Sequence, residues 1–147
     1  MTAPLPTFVQ LNDGWNAFPN GAEVDLSIRK DVLIARFLPN ACKFPEYQNI
    51  PTIALIFEGC SKLRITSVND EGWYRGQCRF SGIAPKWGEF YEILGDTRDH
   101  ENKTEWRCAA GTGERHFHFY MRDETLEVKA DAWKMEKAAP KVGNRLS

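Results

Sequence analysis

Apolar and polar positions alternate with a period of two along much of this chain, the spacing of side chains on opposite faces of a β-strand. Residues 114–133, ERHFHFYMRDETLEVKADAW, carry the pattern most strongly. Phe117, Phe119 and Met121 share a face with Arg115, while His116, His118 and Tyr120 share the other. On the return, Leu126, Val128, Ala130 and Ala132 alternate with Thr125, Glu127, Lys129 and Asp131. The pattern predicts a hairpin turning at residues 122–125, with one apolar and one polar face. Pairing Met121 with Leu126 sets Phe119 against Val128 and Phe117 against Ala130, so the apolar sets coincide. The same register sets Tyr120 beside Glu127, His118 beside Lys129 and His116 beside Asp131. A slip of one residue would mix the faces.

Five further stretches read as strands. Residues 23–28 alternate as a half-buried strand, Val24, Leu26 and Ile28 against Glu23, Asp25 and Ser27. Residues 32–38, VLIARFL, are nearly all apolar and predict a second strand antiparallel to the first, ended by Pro39. Residues 52–57, TIALIF, read as a central strand; the turn 58–61 and the alternation from Lys62 to Val68 then predict a hairpin. Residues 87–94, WGEFYEIL, carry bulky groups on both faces. Shorter strands are expected near 77–80 and 104–108. Helical pattern is scarce, with residues 45–49 the best short piece. The fold class expected is mostly β: an antiparallel curved sheet or small sandwich with little helix, an α+β arrangement being the lesser alternative. Residues 1–20, with Pro4, Pro6 and Pro19, read as an arm docked by Phe8, Trp15 and Phe18. Residues 21–137 form the domain and 138–147 a flexible tail.

Length and composition narrow the function classes. The chain of 147 residues fits one domain. Its aromatic content of 12% favours sheet, where rings pack well on a pleated surface. A net charge of −1 gives no basic excess to hold nucleic acid or an anionic membrane. The N-terminal residues show no basic region followed by an apolar run, and nowhere do about 20 apolar residues run together. A cytoplasmic protein is expected. Its four cysteines, none in a C-x-x-C pair, are therefore expected as free thiols.

Catalytic signatures are weak. His116 and His118 project from one strand face and would give a metal two ligands, whereas a catalytic zinc needs three and an open position; the third histidine, His100, lies in a polar loop. No G-x-S-x-G is present, and Gly111-Thr112-Gly113 lacks the lysine and helix of a phosphate loop. Glu89 and Glu92 fall on opposite faces of their strand, so they form no local acid–base pair. Trp73, Tyr74, Trp87 and Trp106 stand beside Arg75, Lys86 and Arg107, the aromatic–cation mixture of protein interfaces.

Residues 85–96, PKWGEFYEILGD, and residues 115–133, RHFHFYMRDETLEVKADAW, resemble a group of small bacterial β-rich proteins. These combine a W-G-E-F-Y-E strand, a polar loop and an aromatic H-x-x-F-Y-x-R-D-x-T-x-E hairpin. Such proteins resemble immunity proteins, which bind a cognate toxin domain and block it. The resemblance covers about the last third of the chain. It implies a non-catalytic bacterial binding protein without a cofactor, monomeric or homodimeric, whose partner is a toxin domain. At net −1 the chain lacks the strongly acidic surface of nuclease-blocking immunity proteins, which points away from a nuclease partner. The interface expected on this reading is the polar hairpin face, His116, His118, Tyr120, Glu127 and Asp131, with Asp99, His100 and Glu101 in the loop 97–103. Two alternatives stand beside it: a β-barrel binding a small molecule in a Phe- and Trp-lined cavity, and a metal-dependent enzyme built on His116 and His118.

Overall fold

The structure, a computed structural model, describes residues 6–18, 24–66, 88–96, 106–120 and 125–138. Ten strands are formed among them: β1 (Thr7–Gln10), β2 (Asp25–Arg29), β3 (Val32–Phe37), β4 (Ile53–Glu58), β5 (Lys62–Thr66), β6 (Phe90–Leu94), β7 (Arg107–Cys108), β8 (Arg115–Tyr120), β9 (Thr125–Ala130) and β10 (Ala132–Lys137). One 3₁₀ turn, Pro45–Tyr47, falls where the short helical piece is expected. The strands build a six-stranded sheet, ordered β1-β6-β8-β9-β5-β7, and a four-stranded sheet, ordered β10-β4-β3-β2. The described ladders are all antiparallel, so the mostly-β expectation holds in its sandwich form. No described helix is long and apolar enough to cross a membrane.

The inner faces meet in an aromatic core. Leu33, Ala35, Phe37, Ile53, Leu55 and Phe57 of the smaller sheet pack against Phe90, Phe117, Phe119, Leu126 and Val128 of the larger. Phe37 meets Phe119 edge-on at 5.0 Å, and Phe57 lies 5.4 Å from Phe117. Such pairs add roughly 0.5–1.5 kcal/mol each beyond the area they bury. Trp15 from the arm closes one end, within 6.3 Å of both Phe90 and Phe119. The arm is also more regular than expected. Thr7–Gln10 pairs with β6 as an edge strand, and Phe8 packs edge-on against Tyr91 at 5.6 Å.

The β2–β3 hairpin forms as expected, around a Lys30–Asp31 turn in which Lys30 has φ 57°. The expected hairpin between residues 52–57 and 62–68 does not form. β4 and β5 lie in different sheets, and the segment between them turns a corner. The expected return strand breaks at the same corner: β9 ends at Ala130, and β10 continues into the other sheet. β4–β5 and β10–β9 are thus one long two-stranded ribbon bent between the sheets. Glu58 pairs with Ala132 on one side of the bend and Lys62 with Lys129 on the other. Three residues, Gly59, Cys60 and Ser61, therefore oppose two, Ala130 and Asp131. This is a β-bulge, the usual device for switching a strand between packed sheets.

Glycines permit the corner. Gly59 has φ 70°, and a Cβ there would run into the Asp131 side chain. Gly111 and Gly113 lap over the bend, their N–H groups donating to the Cys60 and Gly59 carbonyls at 2.7 and 2.8 Å. A Cβ on Gly113 would overlap the Ala130 carbonyl carbon. The Gly-Thr-Gly stretch is thus a steric requirement of the corner.

The central hairpin has the expected faces but a different register. Phe119 pairs with Leu126, Phe117 with Val128, His118 with Glu127, His116 with Lys129 and Tyr120 with Thr125. Each β8 residue meets a partner two positions earlier than the sequence reading set. A shift of two preserves alternation, so hydrophobic pattern alone does not distinguish the two registers. The expected turn at residues 122–125 falls almost wholly outside the described residues, as do the strand expected near 77–80, the loop 97–103 and the tail from residue 139.

Candidate functional site

The outer face of the six-stranded sheet carries the histidines, and it is buried. His116, His118, Tyr120 and Glu127 were expected on an exposed recognition surface; each is at most 3% exposed. The alternation correctly separates an apolar from a polar face. It does not say whether solvent or protein covers the polar one. Here the Asp96 and Trp106 side chains lie against it, and its charges pair with one another. Asp131, the fifth hairpin residue, is exposed at the corner between the sheets. Asp99, His100 and Glu101 lie outside the described residues.

Glu127 is the centre of the buried cluster. It sits on β9 directly across from Arg64 on β5 and His118 on β8. The Arg64 guanidinium donates to both carboxylate oxygens, Nε to Oε2 at 2.9 Å and Nη2 to Oε1 at 3.0 Å. This fork geometry suits a planar carboxylate better than any lysine would. His116 donates from Nε2 to Oε1 at 2.8 Å, which assigns its proton to that nitrogen. His118 Nε2 lies 3.9 Å from Oε2, and His116 Nδ1 lies 3.7 Å from Asp96 Oδ2. Burial pushes the Glu127 carboxyl up; the His118 charge and the hydrogen bonds from His116 and Arg64 outweigh it. The net effect holds Glu127 well below the usual carboxylate range.

Rings complete the layer. Trp106 stacks on the Arg64 guanidinium at 3.9 Å and stands edge-on to His116 at 5.9 Å. Next, His116 stacks on His118 at 6.0 Å, His118 meets Tyr120 with tilted rings at 4.7 Å, and Tyr120 meets Tyr91 at 6.1 Å. Trp106, singled out beside Arg107, thus engages Arg64 instead. Trp73, Tyr74 and Trp87 lie outside the described residues. Among the described residues, the buried nitrogens His116 Nδ1 and Trp106 Nε1 find no hydrogen-bond partner.

A second polar cluster fastens the arm. Glu89 accepts hydrogen bonds from Asn12 Nδ2 at 2.5 Å and Asn16 Nδ2 at 3.1 Å. Asn12 Nδ2 also donates to the Trp15 carbonyl at 2.7 Å, and its Oδ1 accepts from Phe90 N–H at 3.0 Å. Glu92, on the other face of the strand, forms a fork pair with Arg115 at 2.9 Å. Sequence reasoning missed the Asn12–Glu89 contact because 77 positions separate the partners.

Chemically, the Glu127 cluster is an ionic layer tying β5, β8 and β9 together. Among the described residues, no group of three or more His, Cys, Asp or Glu side chains is arranged to hold a metal ion. Fold and site define an antiparallel two-sheet sandwich with a buried charged layer outside its aromatic core. Comparison with protein-family models, curated proteins and solved structures finds no match to this chain.

Proposed function

We propose that the chain is a non-catalytic bacterial binding protein of the toxin-neutralising kind, acting in the cytoplasm by laying a rigid sheet face over its partner's active site. The observation that carries this reading is the outer face of the four-stranded sheet. Ile34 of β3 pairs with Ile56 of β4 at its centre, half-buried and outside the core cluster. By register, Ser27 and Lys134 flank them. The rows on either side bring Asp25, Arg36 and Glu136, and Arg29 and Glu58. An apolar centre framed by charges of both signs is the anatomy of a protein-binding surface. Three acids against three bases suit a partner of mixed charge and set specificity and on-rate more than affinity. The buried state of His116, His118 and Glu127 moves the expected interface away from the hairpin and onto this face.

The test is affinity capture with the tagged chain, followed by expression of each captured protein alone and with the chain. The reading expects a captured domain that is toxic alone and harmless beside an equimolar amount of this protein. Ile34→Asp and Ile56→Asp, each shown to be folded, should weaken the complex by about 2 kcal/mol or more, the scale of an interface hot spot. Capture of no protein whose toxicity the chain relieves sinks the proposal. Relief unaffected by both substitutions sinks the assignment of the face.

A further inference from the structure

β2 ends the four-stranded sheet and, among the described residues, pairs only with β3. A two-residue turn makes Arg29–Val32 the hydrogen-bonded closing pair of the hairpin, and hydrogen-bonded pairs alternate along an antiparallel ladder. Asp25, Ser27 and Arg29 therefore bond towards β3, while Leu26 and Ile28 direct their N–H and C=O groups at the open edge. An edge of this kind is normally blunted by proline, a bulge or an inward-pointing charge. The sequence of β2, Asp-Leu-Ser-Ile-Arg, has none of these.

Read against a second copy running antiparallel, that sequence is self-complementary. With Ser27 on the two-fold axis, Asp25 faces the other copy's Arg29 and Arg29 its Asp25. Leu26 likewise faces Ile28, and Ile28 faces Leu26. The axis falls on a non-hydrogen-bonded pair, so the outward groups of Leu26 and Ile28 close four backbone hydrogen bonds across it. Leu26 and Ile28 are only partly buried in the single chain, though both touch the core. Pairing would continue the apolar inner face from one sandwich into the next. Asp25 and Arg29 are exposed and have no ion-pair partner among the described residues. We propose that this edge joins two chains into an isologous dimer with a continuous eight-stranded sheet. The proposal stands whether or not the chain neutralises a toxin.

Sedimentation velocity on the full chain over a wide dilution series tests it, with three charge variants. The wild type should move from 16.8 kDa to twice that mass as concentration rises. Asp25→Arg and Arg29→Asp each turn two attractive cross-strand pairs repulsive and should weaken the dimer by about tenfold. The double exchange, Asp25→Arg with Arg29→Asp, restores complementarity and should restore the dimer. Separately, Ser27→Cys should cross-link under mild oxidation where the wild type does not, because non-hydrogen-bonded pairs hold Cα atoms about 4.5 Å apart, within disulfide reach. A wild type that stays monomeric throughout overturns the proposal. So does a dimer that neither responds to the single exchanges nor cross-links through the cysteine at position 27.

Discussion

Replacing Glu127 by Gln tests whether the buried cluster carries its charges as paired ions. The change keeps the side-chain volume and one acceptor oxygen but removes the negative charge. The Arg64 guanidinium then stays in place with its side chain 1% exposed and no counter-charge from Glu127. The new amide also turns a donor towards nitrogens that themselves donate, Arg64 Nε or Nη2 and His116 Nε2. Breaking a buried pair by neutralising one partner costs about 3–5 kcal/mol. That is a large part of the roughly 5–15 kcal/mol that holds a typical domain folded. Urea denaturation at neutral pH, followed by tryptophan fluorescence, reads the difference. Arg115→Gln is the control: its pair with Glu92 has the same fork geometry, but the Arg115 side chain is 44% exposed. Solvent screening should hold its cost below about 1 kcal/mol. Replacing both partners, Arg64→Met with Glu127→Leu, should cost less than Glu127→Gln alone, because the buried guanidinium leaves together with its carboxylate. The pH dependence follows with a definite sign. Glu127 is held below its unfolded value near 4.3, so its contribution is present above that pH and lost as pH falls below it. The acid limb should therefore be steeper in the wild type than in Glu127→Gln. A loss under about 1 kcal/mol for Glu127→Gln, matching Arg115→Gln, would refute the reasoning.

Gly113→Ala should destabilise the fold by about 1–3 kcal/mol in thermal melts, because its Cβ meets the backbone at Ala130 rather than a side chain that can swing away. Gly14→Ala serves as comparison: its φ of 78° carries backbone strain, but no atom lies within 4 Å of the added carbon. Burial pushes the Cys60 thiol from 9.0 up to about 11, against a smaller opposing effect of hydrogen bonding with the Lys62 backbone. A raised thiol adds stability that is complete below the unfolded value and lost as pH climbs towards the folded one. Stability should fall from about pH 9 to about pH 11, and Cys60→Ala should flatten that decline. Alkylation mapped by mass spectrometry in native buffer should label the exposed Cys42 and Cys108 while sparing Cys60.

Strand content and facing were legible in the sequence because a period of two is a local property. Residues 23–28 and 32–38 predicted β2 and β3 to within two residues, with the correct pairing. What escaped was decided by distant groups. Glu58-Gly59-Cys60-Ser61 suits a hairpin turn as well as a corner. Only the ladder with residues 129–132, about 70 positions away, makes it a corner. Trp133 and Met135 alternate with Lys134 and Glu136, yet no local signal tells that they serve a different sheet from Val128. β1 was hidden among prolines and takes its strand form by pairing with β6. The cluster itself was half visible. His116, His118 and Glu127 were singled out together, but Arg64 reads as one more polar residue in Lys-Leu-Arg-Ile-Thr. A strand pattern marks the polar face and carries no information about what lies on top of it.

That limit explains what the ionic layer adds to the fold. Sliding β8 by two residues along β9 would set Phe119 on Val128 and Phe117 on Ala130, still apolar on apolar. The inner face therefore discriminates weakly between the two registers. The outer face does not share that ambiguity. A slip of two moves each β8 residue about 6.8 Å along its neighbour. His116 would leave Glu127, breaking a charge-assisted hydrogen bond, the kind that contributes about 1.5–3 kcal/mol. Arg64 stays fixed to Glu127 through the β5–β9 ladder, so β8 alone would lose its polar partner. One carboxylate thus keys three strands, taking β5 through the guanidinium fork and β8 through an imidazole. Buried charges add little net stability when weighed against well-packed apolar groups. Their directional bonds can still separate two registers that hydrophobic burial leaves nearly equal, and in this sheet that task falls to Glu127.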